Sequence, residues 1–292
     1  MTVELPTVTV VVPAYNAEST IAECIHSLLV LDYPQDQREL IVVDNASTDA
    51  TAQVLEQLGG RIVALTESKR GPSAARNRGV RAATGEVVAF TDSDCVVDRD
   101  WLRRIMPRLT DETVGVVGGR ILARHPHNEI EAYGEQIHSQ DKAINGSIPP
   151  YVISMNWASR RSLFRHVGLF DEALNRGQDV DLSWRILRHG YRLVYEPSAV
   201  VYHRNENSLQ GLFQEGLTHG FHAPRIHKKH WDLLAPLERR RWYGGSGRAA
   251  VRGLLDYLGG RDRPASVFRA AFNSGKQIGM LAGSIRWGYP EL

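Results

Sequence analysis

Short apolar runs alternate with amphipathic stretches along the first 120 residues, and a polar cluster closes most of the runs. TVTVVV (7–12) is β-branched and almost free of polar positions, which predicts a strand buried on both faces. ESTIAECIHSLLV (18–30) repeats its apolar residues at helical spacing. ELIVVD (39–44) predicts a second strand, and STDATAQVLEQLGG (47–60) a helix capped by Ser47 or Thr48 and stopped by glycines. RIVALT (61–66) follows as a third strand. PSAARNRGVRAATG (72–85) reads as a helix with Pro72 in its first turn and Gly85 past its end. EVVAFT (86–91) and VGVVGGRILA (114–123) predict a fourth and a fifth strand, separated by a helix over DRDWLRRIMPRL (98–109) that Pro107 would kink.

The pattern then loosens. Residues 124–150, with HPHN and GSIPP, read as a loop-rich excursion. YVISMNWAS (151–159) is strand-like, RRSLFRHVG helical, and DVDLSWRILRHG (179–190) a helix with the stripe Val180, Trp184, Leu187. YRLVYEPSAVVYH (191–203) is extended. From Asn205 on the spacing predicts amphipathic helices, broken near YGGSG (243–247) and GGRDRP (259–264). Strand–helix alternation of this kind makes βαβ units and a mostly parallel sheet with helices on both faces. Ligands bind such sheets outside the carboxyl ends of the strands. The clusters PAYN, DNASTD and DSD each follow a strand, so three loops should converge on one edge.

Composition changes this picture in two places. The net charge of +2 conceals an asymmetry: residues 203–292 hold 14 Lys+Arg against 7 Asp+Glu, a net of +7, and leave the rest at −5. A basic tail suits phosphates or an anionic membrane surface, and equally a solvated face. Cys24 and Cys95 are too few for a disulfide framework and fit free thiols in a reducing compartment, Cys95 as a small buried filler. A length of 292 residues allows one large domain, or one domain with an extension. No window approaches the ~18 apolar residues of a membrane-spanning helix, and the N-terminus lacks the basic region of a signal peptide.

Candidate chemistry gathers at the strand ends. Asp92 and Asp94 form a D-x-D where the fourth strand stops; hard divalent cations take such carboxylates and complete their shell with phosphate oxygens. The same pair could also be a helix cap beside a solvated acid. Asp44 ends the second strand, placed to accept from a base N–H or a ribose hydroxyl, or to cap a helix. Lys69, Arg70 and Arg76 surround a helix N-terminus, a setting for phosphate or base contacts. Asp179 and Asp181 open a helix; one could cap it while the other projects as a general base. His203 follows the last extended segment and could complete a metal shell. His219, His222, His227 and His230 in the tail fit a basic helix better than a metal site.

Five blocks in order carry a resemblance: VVVPAYNAESTIAECIHSLL, IVVDNASTDAT, GPSAARNRGVRAATGEVVAFTDSDC, NWASRRSLFRHVGLFDE and GQDVDLSWRILRHGYRLVYEPSAVVYH. Over residues 7–203 the chain resembles the family-two glycosyltransferases of the GT-A fold. The resemblance implies an α/β, Rossmann-like, mostly parallel sheet flanked by helices. Residues 1–203 would form the GT-A domain, its nucleotide-binding half about 1–120 and its acceptor half about 121–203. Residues 204–292 would be a mainly helical basic extension. It implies metal-dependent, inverting transfer from a nucleoside-diphosphate sugar to an acceptor hydroxyl, with Mg²⁺ or Mn²⁺. Pro13, Tyr15 and Asn16 would border base and ribose, Asp44 would bind the base, and Arg76 would lie near base or diphosphate. Asp94 would hold the metal directly, Asp92 would reach the ribose or the metal shell, and His203 would join the metal. Asp179 would be the catalytic base, with Trp157, Gln178 and Asp181 on the substrate and acceptor side. The family often has Glu where Gln178 stands, and the Q-x-x-R-W motif and membrane helices of processive synthases are absent.

A UDP-sugar is the favoured donor, then GDP or dTDP; the acceptor would be a glycan, lipid-linked or small molecule, in polysaccharide or glycolipid synthesis. No nucleic-acid partner is expected. The expected location is cytoplasmic, with the basic tail in peripheral contact with the inner face of the membrane. The rival readings are a sugar nucleotidyltransferase, against which the glycine-free VVPAYNAEST speaks, and a non-catalytic binding protein, against which the retained acids speak.

Overall fold

The computed structural model describes residues 5–238, 245–259 and 263–289. The elements are β1 (Val8–Ala14), α1 (Ile21–Leu29), β2 (Arg38–Asp44), α2 (Thr51–Gln57), β3 (Val63–Thr66), α3 (Pro72–Ala82), β4 (Val87–Thr91) and β5 (Cys95–Val97). They continue with α4 (Trp101–Ile105), β6 (Val114–Ala123), α5 (Glu129–Ile137), β7 (Asn156–Arg160), α6 (Leu163–Val167), α7 (Gln178–Arg188) and β8 (Arg192–His203). The tail is helical: α8 (Leu209–Lys229), α9 (Trp231–Glu238), α10 (Gly245–Leu258) and α11 (Arg263–Trp287). Two compact units result. One runs to Arg124 and resumes over His138–His203; the other takes His125–Ile137 and the chain from Arg204 on.

The first unit is an α/β sheet of eight strands in the order β3-β2-β1-β4-β7-β6-β8-β5. β1 to β4 pair parallel with one another, as βαβ units require, whereas β7 is antiparallel to both of its neighbours, β4 and β6. Alternation on the inner strands feeds two cores. Val8, Val10, Val12, Val87 and Ala89 pack with α1 and α4 on one face; Val11, Val88, Phe90 and Trp157 pack with α6 and α7 on the other. Burial on both faces explains why these strands read as unbroken apolar runs.

Several elements depart from the sequence expectation. The helix expected over 47–60 begins only at Thr51, and neither Ser47 nor Thr48 caps it. Asp49 instead accepts the Thr51 N–H at 3.0 Å and its hydroxyl at 2.6 Å, while Ser47 and Thr48 are drawn to Asn16. Regular strand starts at Asn156 rather than Tyr151. The helix over 98–109 turns into a 3-10 segment at Met106–Thr110, because Pro107 cannot donate into an α-helical ladder. Residues 124–150 are not wholly loop. Asn128 accepts the Glu131 N–H at 2.9 Å and the Glu131 carboxylate accepts the His127 N–H at 2.6 Å, a reciprocal cap that starts α5.

The second unit is built on α8 and α11, whose backbones approach closely. A Cβ at Gly216 or Gly220 would collide with the Phe272 or Lys276 carbonyl, and one at Gly275 or Gly279 with the Phe213 or Leu217 carbonyl. α5 adds Tyr133 against Leu212 and Phe268. The expected breaker at 243–247 begins outside the described residues, and the one at 259–264 lies partly outside them.

Candidate active site

β1 has β2 on one side and β4 on the other, so the strand order reverses there and a crevice opens at the carboxyl ends. A cavity of about 450 Å³ occupies it, lined by Pro13–Tyr15 after β1, Asn45 after β2, Asp92–Asp94 after β4, Arg70–Pro72 and Arg76 at α3, and Asn175. This is the size of a small-molecule site. Three loops that are far apart in sequence therefore meet, as their positions at strand ends predict.

Each wall has a local cause. The Tyr15 ring is 48% exposed and lies under the Arg70 guanidinium at 5.2 Å, leaving an aromatic face toward solvent. Asn45, buried, donates to the Glu67 and Lys69 carbonyls at 3.0 and 2.8 Å and accepts the Gly71 N–H at 2.7 Å. That latch holds the 67–71 loop, which carries Arg70. Gly71 has φ 128°, and a Cβ there would press on Asn175 Oδ1 at 3.3 Å, so glycine is needed for both reasons. Glu172 ties the same loop to α3, through Lys69 at 2.7 Å on the loop and Asn77 at 2.9 Å and Arg81 at 3.3 Å on the helix. The Asn77 hydrogen bond and then the Lys69 contact hold its carboxyl at about 2, far below the usual range.

The two acids of the D-x-D have different partners. Asp92 is paired with Arg76 at 2.5 Å, and the Arg76 side chain is 3% exposed. Two further Arg76 nitrogens, Nε and Nη1, are buried without a hydrogen-bond partner, and the Phe170 ring lies 5.9 Å from the guanidinium. Asp92 is thus the counter-ion of a buried cation. Asp94 instead faces His203, Oδ2 to Nε2 at 3.5 Å. Burial opposes its ionisation, but the hydrogen bond and charge of His203 outweigh that, and its carboxyl titrates below the usual carboxylate range.

The Asp94–His203 pairing is made by β5, a strand that sequence reasoning missed. β5 runs antiparallel to β8 with Cys95 opposite His203, which puts the histidine next to Asp94. His138 was also missed; its ring stands edge-on to His203 at 5.0 Å. Among the described residues no group of three or more His, Cys, Asp and Glu could by itself hold a metal ion. A carboxylate and an imidazole alone fit a cation that takes its remaining ligands from substrate phosphates and water.

Asp179 lies in the first turn of α7 behind Gly177, which occupies the N-cap with φ 70°. Its Oδ1 accepts the Val180 N–H at 2.9 Å and its Oδ2 the Ser154 N–H at 3.3 Å, so two backbone donors orient a half-buried carboxylate. Asp181, its expected companion, does not reach a pocket. It is fully buried and paired with Arg185 Nη2 at 3.0 Å; the same nitrogen donates to the Leu169 carbonyl, and Nη1 donates to the Val167 carbonyl. Gln178 is buried, with Oε1 unpartnered.

Trp157 also departs from expectation. Strand alternation turns it into the core, fully buried and stacked on Phe90 at 4.6 Å, rather than onto a sugar-binding wall. Asp44 is buried at the end of β2 and accepts the Ser47 N–H at 3.2 Å; Asn16, with φ 49°, accepts the Thr48 N–H at 2.8 Å. Both shape the loops, and the cavity lining itself comes from their neighbours Asn45 and Tyr15.

Comparison with known proteins adds four matches. The family model for glycosyl transferase family 2 matches residues 9–168. A pre-mycofactocin glycosyltransferase of Mycobacterium tuberculosis (strain CDC 1551 / Oshkosh) is 34% identical over 240 residues, covering 79% of this chain and 49% of that protein. The succinoglycan biosynthesis protein ExoO of Rhizobium meliloti (strain 1021) is 34% identical over 233 residues, covering 72% of this chain and 64% of that protein. The chain thus spans about half the length of the Mycobacterium relative. Among solved structures, the mannosyltransferase PcManGT from Pyrobaculum calidifontis, in complex with GDP-Man and Mn²⁺, superposes with TM-score 0.64 at 22% identity. That match covers 96% of this chain and 88% of that one.

Proposed function

The chain belongs to glycosyl transferase family 2; from that premise we propose that it is a glycosyltransferase that moves a sugar, with inversion, from a nucleoside-diphosphate donor to an acceptor hydroxyl, with Asp179 as general base. The observation that carries the donor half is the cavity at the strand-order reversal, lined by Tyr15, Arg70 and Asp94, with His203 3.5 Å from Asp94. A nucleotide-sugar donor and a divalent cation are supported by the solved relatives, one with GDP-Man and Mn²⁺ and the Staphylococcus aureus TarS 1–349 with UDP-GlcNAc. UDP is the donor nucleotide we favour, ahead of GDP and dTDP.

Asp94 and His203 would hold Mg²⁺ or Mn²⁺, which when bound supplies positive charge against the diphosphate. The residues of the chain do the rest. The open face of Tyr15 offers a platform for the nucleobase, backed by Arg70. The Asn45 latch keeps the Arg70 loop in place. Asp92 neutralises Arg76 within the wall. The carboxylate of Asp179, oriented by the Ser154 and Val180 N–H groups, takes the proton from the acceptor hydroxyl as it attacks the anomeric carbon opposite the leaving group. The acceptor on this reading is a glycan, lipid-linked or small-molecule hydroxyl. The basic tail would meet an anionic membrane face peripherally through its cations; no helix among the described residues is long and apolar enough to cross a membrane.

A thermal-shift panel of nucleoside diphosphates and nucleotide sugars, with and without Mn²⁺, tests the donor half. Asp179→Asn tests the base: donor binding should persist while transfer falls by about 10²-fold or more. Near-normal transfer in that variant would remove Asp179 from the role.

A further inference from the structure

The second unit presents an aliphatic surface to solvent. On α10, Val251, Leu254, Leu255 and Leu258 are 58, 54, 62 and 69% exposed. Their spacing of three, four and seven residues puts them on one stripe. The opposite side of α10 is the packed one: a Cβ at Gly253 would meet the Ser266 carbonyl and the Ala270 backbone of α11. α10 therefore has its greasy face outward, the reverse of an ordinary surface helix. On α11, Ile278, Leu281 and Ile285 add a second row at 50, 38 and 86% exposure.

The charges of these two helices are one-sided. Between Arg263 and Trp287, α11 contains four cations (Arg263, Arg269, Lys276, Arg286) and no Asp or Glu. The one acid of α10, Asp256, is already engaged by Arg269 at 3.3 Å and Arg252 at 4.0 Å, and the Arg252 side chain remains 80% exposed. At the far end of α11 the Trp287 ring is flanked by Arg225 at 4.7 Å and Arg286 at 5.2 Å. Nearby Trp231, 46% exposed, meets Tyr289 edge-on at 5.8 Å. Aromatic and cationic residues at the end of the α11 row suit the boundary between headgroups and acyl chains.

We propose that the α10–α11 face is a membrane-docking surface for anionic phospholipid. The Val251, Leu254, Leu255 and Leu258 stripe enters the headgroup–acyl boundary and the arginines lie on lipid phosphates. Charge selects this occupant. A second copy of the chain would set cation against cation, with no acid on α11 to answer it. A protein partner would be expected to find aromatic anchors in the centre of the patch, where these seven side chains are all Val, Leu or Ile. The inference deepens the membrane reading above, and its evidence is independent of the donor site.

Flotation of the full chain with phosphatidylcholine vesicles, with and without phosphatidylglycerol, tests it. Binding should require phosphatidylglycerol, weaken with salt, and fall at least about tenfold in Leu254→Asp/Leu255→Asp. A milder Leu254→Ser/Leu255→Ser variant guards against misfolding and should fall in the same direction. Both variants should keep the wild-type thermal shift with Mn²⁺ and nucleoside diphosphate, so loss of that shift in the wild type would count against the donor reading alone. Absence of binding to phosphatidylglycerol vesicles at low salt overturns the proposal. So does unchanged binding by both variants, or a wild-type dimer in light scattering that the substitutions dissolve.

Discussion

Asp92→Asn and Asp94→Asn, compared side by side, separate the two acids of the D-x-D. In Asp92→Asn the Arg76 guanidinium stays charged and 3% exposed but loses its counter-ion. Two of its nitrogens already lack partners, so they cannot compensate. Stripping one member from a buried ion pair costs about 3–5 kcal/mol. The Asp92 site is 26% exposed, and the new amide oxygen can still accept, so a loss near 2–3 kcal/mol is expected. In Asp94→Asn the side chain is 41% exposed and its polar partner His203 stands 3.5 Å away, a contact worth about 0–1 kcal/mol. Urea unfolding of metal-free protein should therefore show a large fall in midpoint for the first variant and almost none for the second. Calorimetry with Mn²⁺ and a nucleoside diphosphate should show the opposite ranking, with Asp94→Asn losing about tenfold or more in affinity. Adding Arg76→Met to Asp92→Asn should recover stability relative to the sum of the single changes, a coupling of about 1–3 kcal/mol. Equal destabilisation by the two Asn variants, or a neutral Asp92→Asn, would refute the division of roles.

Asn45→Ala removes three hydrogen bonds from a buried latch and should cost about 2 kcal/mol in urea unfolding and about tenfold in donor affinity; an unchanged dissociation constant would show that the 67–71 loop holds itself. Glu172 has a depressed carboxyl, so its stabilisation is fully present above about 4.5 and is lost as pH falls through about 2. Between those limits the wild type should lose about 1–2 kcal/mol relative to Glu172→Gln, measured by thermal melts across acid pH. Cys24 and Cys95 are about 1% and 0% exposed, and burial, then the Asp94 and Asp92 charges, pushes both thiols up. A thiol reagent should accordingly leave the native protein unlabelled and modify both cysteines after unfolding.

A place at a strand end, or at the start of α3, brought five of the expected residues to the cavity wall, while Asp44 and Asn16 shape its loops instead. Pro13, Tyr15, Asp92, Asp94 and Arg76 all line the cavity. Expectation failed where a side chain's direction depends on a partner distant in the chain. Trp157 and Asp181 carry the residue types of a pocket, yet one packs on Phe90 and the other on Arg185. Asn45 sits in the same polar cluster as Asp44, but nothing local shows that it would latch a loop more than twenty residues away. The cap that starts α5 was legible in principle, since Asn128 and Glu131 have capping-box spacing.

Local periodicity and turn chemistry were enough to determine the alternating α/β order, the edge of the sheet where the cavity opens, the acids at that edge and the helical basic tail. These follow from interactions within a few residues, which the sequence displays directly. The strand order, the antiparallel β7, and the three-residue β5 that brings His203 to Asp94 were decided only by tertiary structure. So were the burial of Arg76 against Asp92 and the outward face of α10. Each depends on which surfaces remain after the sheet has closed and the helices have packed, and pairing energies between distant segments leave no periodic mark on either segment alone.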